Sequence, residues 1–223
     1  MKGIVFSFKK SDSNFGNIRR IRLSDVRRFL KRYGIKVMFV CLIFLGLAAG
    51  SVYAENADTQ MLESLDFLFT TNLDARLSQS FAGTFCACFA SDFIFLFSIY
   101  LLGISPWGIP AIFLAVLFKG FGTGITAGYL FITNSLSGVG FYLLILLPGT
   151  FLFCIALVLF STSAFYFSKR MFLTTLSKST PKFPLRGSFS VFSSRFLTAL
   201  IMTFCSALLD TALWTLFAGT FNF

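Results

Sequence analysis

Five long apolar runs, separated by shorter polar stretches, dominate the sequence. A helix needs about 20 residues to cross the hydrocarbon core of a membrane, and each run is close to that length. The pattern therefore predicts an all-α transmembrane bundle at 35–223, preceded by a basic, polar segment at 1–34. The predicted spans are, in chain order, 35–53, 81–102, 109–133, 139–167 and 196–218.

Two interruptions are predicted in the second half of the apolar region. A polar stretch at 134–138 separates the third span from the fourth. Pro148 and Gly149 then fall inside the fourth span, and proline removes a backbone donor, so the helix should kink or locally unwind there. Further along, Pro181 and Pro184 indicate an irregular loop before the fifth span.

Basic residues are concentrated in two stretches of the chain. Of the 19 lysines and arginines, 17 lie within 1–36 and 169–195. Lysines and arginines beside membrane spans stay on the cytoplasmic side, so both stretches are expected inside, and four spans separate them. The segment 55–79 carries five of the nine acids and is expected outside. The sequence thus predicts a multi-pass cell-membrane protein whose N-terminus is cytoplasmic.

Composition narrows the function classes further. With 56% hydrophobic and 13% charged residues, a chain of 223 residues has too little polar surface for a water-soluble globule. The net charge of +10 lies beside the membrane without a recognition module, so nucleic-acid binding is not expected. The five cysteines lie in apolar runs, as small fillers between helices, and histidine is absent. We therefore expect no metal site and no cofactor.

Alternatives stay open at both ends of the first span. Residues 18–33 combine apolar positions at helical spacing with arginines and lysines, which fits a basic amphipathic helix on an anionic membrane or a plain topogenic signal. Residues 51–55 are similar to a signal-peptidase site, but the long basic region before the span favours a retained anchor. The outer segment 55–79 has an apolar stripe that lies on the membrane surface or receives a partner.

Three ionisable residues lie inside predicted spans: Asp92, Lys119 and Asp210. Charge at membrane depth is costly, so such residues usually face a partner or a wet cavity. At about 1.5 Å per residue, Asp92 and Lys119 each lie roughly 15 Å from the turn that joins their helices. They should form an ion pair, and Asp210 is close enough in depth to join it. This charge cluster is either structural or part of a path for protons or ions.

The third span also carries glycines at four-residue steps: Gly120, Gly124 and Gly128. Such a ridge has no side chains, so another helix can approach to backbone contact. We expect that helix to belong to this chain or to a second copy in a homo-oligomer.

The turn and the third span resemble a known family. The stretches 101–105, 108–110 and 118–121, with Leu-Leu-Pro at 146–148, are similar to the stage II sporulation protein M family. The motif residues are Gly103, Gly108, Pro110, Lys119, Gly120 and Phe121. The resemblance covers 80–223. It implies a sporulation membrane protein that holds peptidoglycan-degrading partners at the septal membrane during engulfment.

The residues themselves give little support to an enzyme. The usual general base, histidine, is missing, and no serine has a visible activating partner. We expect a non-enzymatic scaffold whose partners are membrane lipids and extracytoplasmic cell-wall hydrolases. The alternative is a small-solute or ion transporter that uses Asp92, Lys119 and Asp210, although five spans give no even division into inverted repeats.

Overall fold

A computed structural model describes residues 23–56, 80–176 and 185–217 of the chain. The acidic outer segment at 57–79 and the first residues of the predicted amphipathic helix lie outside the described residues, so the expectations for them stay predictions. The chain divides into two units, Met1–Gly34 and Ile35–Phe223. The contacts described below belong to the second unit.

Within the described ranges, every regular element is helical. The elements are α1 (Leu23–Glu55), α2 (Phe81–Ile104), α3 (Ile109–Phe141), a π-helical turn (Tyr142–Leu146), α4 (Leu147–Leu176) and α5 (Leu185–Phe217). Five helices are long and apolar enough to cross a membrane. This confirms the predicted all-α bundle with five spans.

A tight turn joins α2 to α3. The N–H of Ser105 donates to the carbonyl oxygen of Leu102, and the N–H of Gly108 donates to that of Ser105. The hydroxyl of Ser168, on α4, donates to the same Ser105 carbonyl at 2.7 Å. Pro110 lies in the first turn of α3, where its missing N–H is not needed. The turn is therefore fixed by its own backbone and by α4.

Two candidate spans, Ile109–Ile132 and Ser137–Leu176, meet at the polar stretch, and the helical backbone continues through 134–138. The helix axis bends between Phe131 and Tyr142. Their rings lie 5.7 Å apart, whereas eleven residue steps of straight helix would span about 16 Å. The chain therefore turns between these two residues without ending the helical geometry, and α4 returns alongside α3.

The predicted unwinding near Pro148 takes the form of the π-helical turn. The N–H of Leu147 donates to the carbonyl oxygen of Tyr142, five residues earlier. Proline has no N–H, and its ring crowds the carbonyl four residues before it, so the wider turn relieves the crowding.

The helices α4 and α5 extend beyond the spans that hydropathy predicted. α4 ends at Leu176 and α5 begins at Leu185, directly after Pro184. The sequence placed the start of the fifth span at 196, and therefore placed Arg195 in the loop. Hydropathy misses the first turns of α5 because arginine and serine lower the local average without interrupting a helix.

Stacked aromatic rings hold α2, α4 and α5 together. The ring of Phe192, on α5, lies 4.6 Å from that of Phe167 and 5.5 Å from that of Phe160, both on α4. Phe192 also stacks on Tyr100 of α2, at 5.3 Å. Buried rings of this size contribute strongly to packing, and they set the framework in which the charged residues lie.

Candidate functional site

Lys119 of α3 and Asp92 of α2 form an ion pair inside the bundle. The Nζ atom of Lys119 lies 2.7 Å from Oδ1 of Asp92, and the two side chains are 11% and 16% exposed. The tight turn makes α2 and α3 antiparallel, so equal distance from the turn gives the two charges equal depth. This is the geometry that the sequence predicted.

The ammonium group of Lys119 also lies over two aromatic rings. Its Nζ is 5.0 Å from the ring centroid of Phe95, on α2, and 5.0 Å from that of Phe153, on α4. The face of an aromatic ring attracts a cation at this distance, and more strongly away from water. The lysine of α3 therefore contacts both α2 and α4.

Asp210, on α5, lies beside this pair and contacts α2. The thiol of Cys88 donates to Oδ2 of Asp210 at 3.3 Å. Cys88 and Asp92 are one helical turn apart, so a single face of α2 meets both Lys119 and Asp210. Cys88 is therefore more than the apolar filler that the sequence suggested, because it is a hydrogen-bond donor to a partly buried carboxyl group.

A cavity of about 60 Å³ lies among these groups. Besides the three ionisable residues, its lining includes side chains with hydroxyl groups: Ser91, Thr123, Thr126, Tyr142, Thr150 and Ser206. A space of this size with several polar partners can hold a few water molecules or a small cation. The sequence did not indicate the hydroxyl lining, because an isolated serine or threonine in a span does not reveal which face it occupies.

Gly149 determines how closely α5 approaches this cavity. A Cβ atom on Gly149 would lie 2.9 Å from the Cβ of Asp210. The hydroxyl of Ser206, one turn before Asp210, donates to the carbonyl oxygen of Gly149 at 2.6 Å. The segment after the π-helical turn thus positions Asp210 by close backbone contact.

A different face of α3 carries the glycine ridge and packs against α1. A Cβ atom on Gly120 would lie 2.5 Å from the carbonyl oxygen of Ile43, and one on Gly124 would overlap the carbonyl oxygen of Leu47. A Cβ atom on Gly128 would similarly lie 3.0 Å from the backbone of α1. The ridge therefore meets a helix of the same chain.

α1 supplies two glycines of its own, Gly46 and Gly50, to this contact with α3, which we call the glycine crossing. The sequence pattern had not singled them out. A Cβ atom on Gly46 would overlap the carbonyl oxygen of Leu117, and one on Gly50 would overlap that of Phe121. The ring of Phe121 lies 5.5 Å from that of Tyr53 at the same crossing. The signal was present, because Gly46 and Gly50 repeat the four-residue spacing of the ridge.

The remaining motif glycines shape the turn and its surroundings. Gly108 is the N-cap residue of α3, and a Cβ atom there would overlap the carbonyl oxygen of Leu102. A Cβ atom on Gly103 would lie 2.8 Å from the ring of Phe192. The motif residues thus lie in the turn, in the ion pair or at the glycine crossing, apart from Gly103, which lies against Phe192.

A family model for stage II sporulation protein M matches residues 35–215, a range that reaches from the apolar part of α1 almost to the end of α5. The chain belongs to this family. It is a sporulation-related membrane protein, and the resemblance seen around the turn and the third span is confirmed. No curated protein and no solved structure matches the chain.

The match to the stage II sporulation protein M family includes both sides of the glycine crossing. It begins at Ile35, so Gly46 and Gly50 of α1 lie within it, as do the ridge glycines of α3. Removal of α1 by a signal peptidase would leave the ridge without its partner helix. Retention of the first span as an anchor stays a prediction.

Proposed function

We propose that this member of the stage II sporulation protein M family is a non-enzymatic membrane scaffold that holds peptidoglycan-degrading partners at the septal membrane during engulfment. The family match over residues 35–215 supports the role in sporulation, and the ion pair of Lys119 with Asp92, at 2.7 Å, supports a structural use of these charges. Its charges are directed at each other. Charges that satisfy each other hold helices in place without needing a substrate.

The outer segment at 57–79 is the proposed contact surface for the partners. It connects α1 to α2 and carries four of the chain's nine acids together with an apolar stripe. The helix before this segment, α1, is held by the glycine crossing, and the helix after it, α2, is held by the ion pair. In the proposal, the bundle fixes the two ends of the segment and the segment itself receives the partner.

Shortening residues 57–75 tests the scaffold. The shortened protein should lose its partners when it is purified in mild detergent from sporulating cells, while the thermal unfolding of the bundle stays that of the parent. A control replaces the segment 177–183, which is predicted to be cytoplasmic, by a glycine-serine linker of equal length, and this variant should keep its partners. Recovery of a cell-wall hydrolase at the parental level by the shortened protein would contradict the proposal.

Ion transport is the second candidate function, and the polar cavity favours it. Its volume of about 60 Å³, beside Asp92, Lys119 and Asp210, suits a small cation better than a larger solute. The purified protein in liposomes would then conduct or exchange a cation, and Asp92→Asn would stop the flux. Glu55→Gln is the matched control, because Glu55 is exposed at the end of α1. Robust flux with no partner recovered from cells would favour transport over the scaffold.

A further inference from the structure

A groove between α4 and α5 combines basic side chains with apolar walls. It consists of two cavities, of about 610 Å³ and 400 Å³, that share Ser163, Tyr166 and Arg195 in their linings. By the predicted orientation it lies in the cytoplasmic half of the bundle, since both helices meet there at the basic loop. The groove is distinct from the polar cavity around Asp92.

Three cationic side chains line this groove. Arg195 borders both cavities, Arg170 of α4 borders the larger one, and Lys36 of α1 borders the smaller one. Among the described residues that line either cavity there is no carboxylate. The described lining of the groove thus contributes three cationic groups.

Arg195 is held at the centre of the groove by a hydrogen bond. Its Nη1 donates to the hydroxyl oxygen of Ser163 at 3.1 Å. A guanidinium group carries five N–H donors in a planar fork, so it can bind an anion in addition to this hydroxyl. Phosphate is well suited, because its oxygens accept paired hydrogen bonds from arginine.

Arg195 lies beside exposed apolar side chains of α5. It is ten residues after Leu185, about 15 Å along the helix. Val191 and Leu197, which are close to it in sequence, are 56% and 57% exposed. By the predicted orientation Arg195 lies near the inner interface of the membrane, where the phosphates of anionic lipids are available.

The smaller cavity also offers an apolar surface beside the cation. Leu159, Phe160 and Met202 are among the residues that line it. A ligand that fits the whole groove therefore has an anionic head and an apolar chain.

We propose that this groove binds one anionic phospholipid of the inner leaflet. Its phosphate lies at Arg195, Arg170 and Lys36 supply positive potential on either side, and an acyl chain runs along the apolar wall of α4 and α5. Basic pockets between membrane-spanning helices on the cytoplasmic side bind anionic headgroups by this combination of charge and shape.

Native mass spectrometry of the purified full chain tests the proposal, with equal amounts of phosphatidylglycerol and phosphatidylcholine in the detergent. The parent should retain phosphatidylglycerol in preference to phosphatidylcholine. Arg195→Gln should lower that retention about fivefold, the effect of one basic residue on anionic lipid. Arg170→Gln should lower it less, because Arg170 borders only one of the two cavities. Lys169→Gln is the matched control, since this neighbouring exposed residue of α4 lines neither cavity.

Two results would overturn the proposal. One is equal retention of both lipids by the parent protein, which needs no variant to observe. The other is an equal loss of phosphatidylglycerol in Lys169→Gln and in Arg195→Gln, because a general attraction between charges would then explain the binding. If Arg195→Gln does not fold, the comparison of Arg170→Gln with Lys169→Gln decides, since both residues are exposed near the end of α4.

Discussion

Two faces of α3 contact their neighbours by different means. One face has no side chains at Gly120 and Gly124 and meets the backbone of α1. The other face carries Lys119 and Thr126 and borders the polar cavity shared with α2, α4 and α5. Inside a membrane the hydrophobic effect does not drive helices together, so close backbone approach and polar pairing take its place. A larger side chain at a glycine should disrupt the contact between α3 and α1. Loss of one charged residue should disrupt the contact at the polar cavity.

The largest effect is expected at the glycine crossing. Gly124→Leu and Gly46→Leu should each prevent stable folding, because the new side chain would occupy the space of a backbone carbonyl on the facing helix. Size-exclusion profiles in mild detergent and the yield of folded protein measure this. Gly34→Leu is the control, because no described atom beyond its chain neighbours and the backbone of its own helix lies within 4 Å of its Cβ position. A parental profile for Gly124→Leu would show that α1 can separate from α3 without harm.

A smaller but substantial loss is expected at the ion pair. Asp92→Asn or Lys119→Met alone should lower the free energy of unfolding by about 3–5 kcal/mol, because each leaves an unpaired charge in the bundle. The exchanged pair, Asp92→Lys with Lys119→Asp, should recover part of that loss. Unfolding by sodium dodecyl sulfate, followed by circular dichroism, gives the free energy of unfolding of each protein. An exchanged variant that is less stable than both single variants would mean that a reversed ion pair does not form.

The smallest effect is expected at the thiol that contacts Asp210. Cys88→Ala removes one hydrogen bond to the carboxyl oxygen and should cost about 1 kcal/mol. The same unfolding measurement applies. Cys86→Ala is the control, because Cys86 lies two residues away on α2 and is exposed. Equal stability of the two variants would show that the position of Asp210 does not depend on Cys88.

The depth of each charged residue could be predicted, whereas its neighbours could be predicted only in part. Asp92 and Lys119 are separated by a turn, so the helical rise alone gives them equal depth. Asp210 is on a helix distant in sequence, and its depth indicated proximity without naming Cys88 as its partner. The glycine spacing in α3 predicted close packing against some helix, but the choice of α1 required the structure.

The sequence by itself determined the five spans, the equal depth of Asp92 and Lys119, and the presence of a bare ridge on the third span. These follow from length, helical rise and the positions of polar residues along one helix. Only the tertiary structure decided that the ridge meets α1, that hydroxyl groups surround the charge cluster, and that Arg195 lies on α5 beside a groove. The physical reason is that lipid and protein interior are both apolar, so apolar side chains do not reveal which helix face meets another helix.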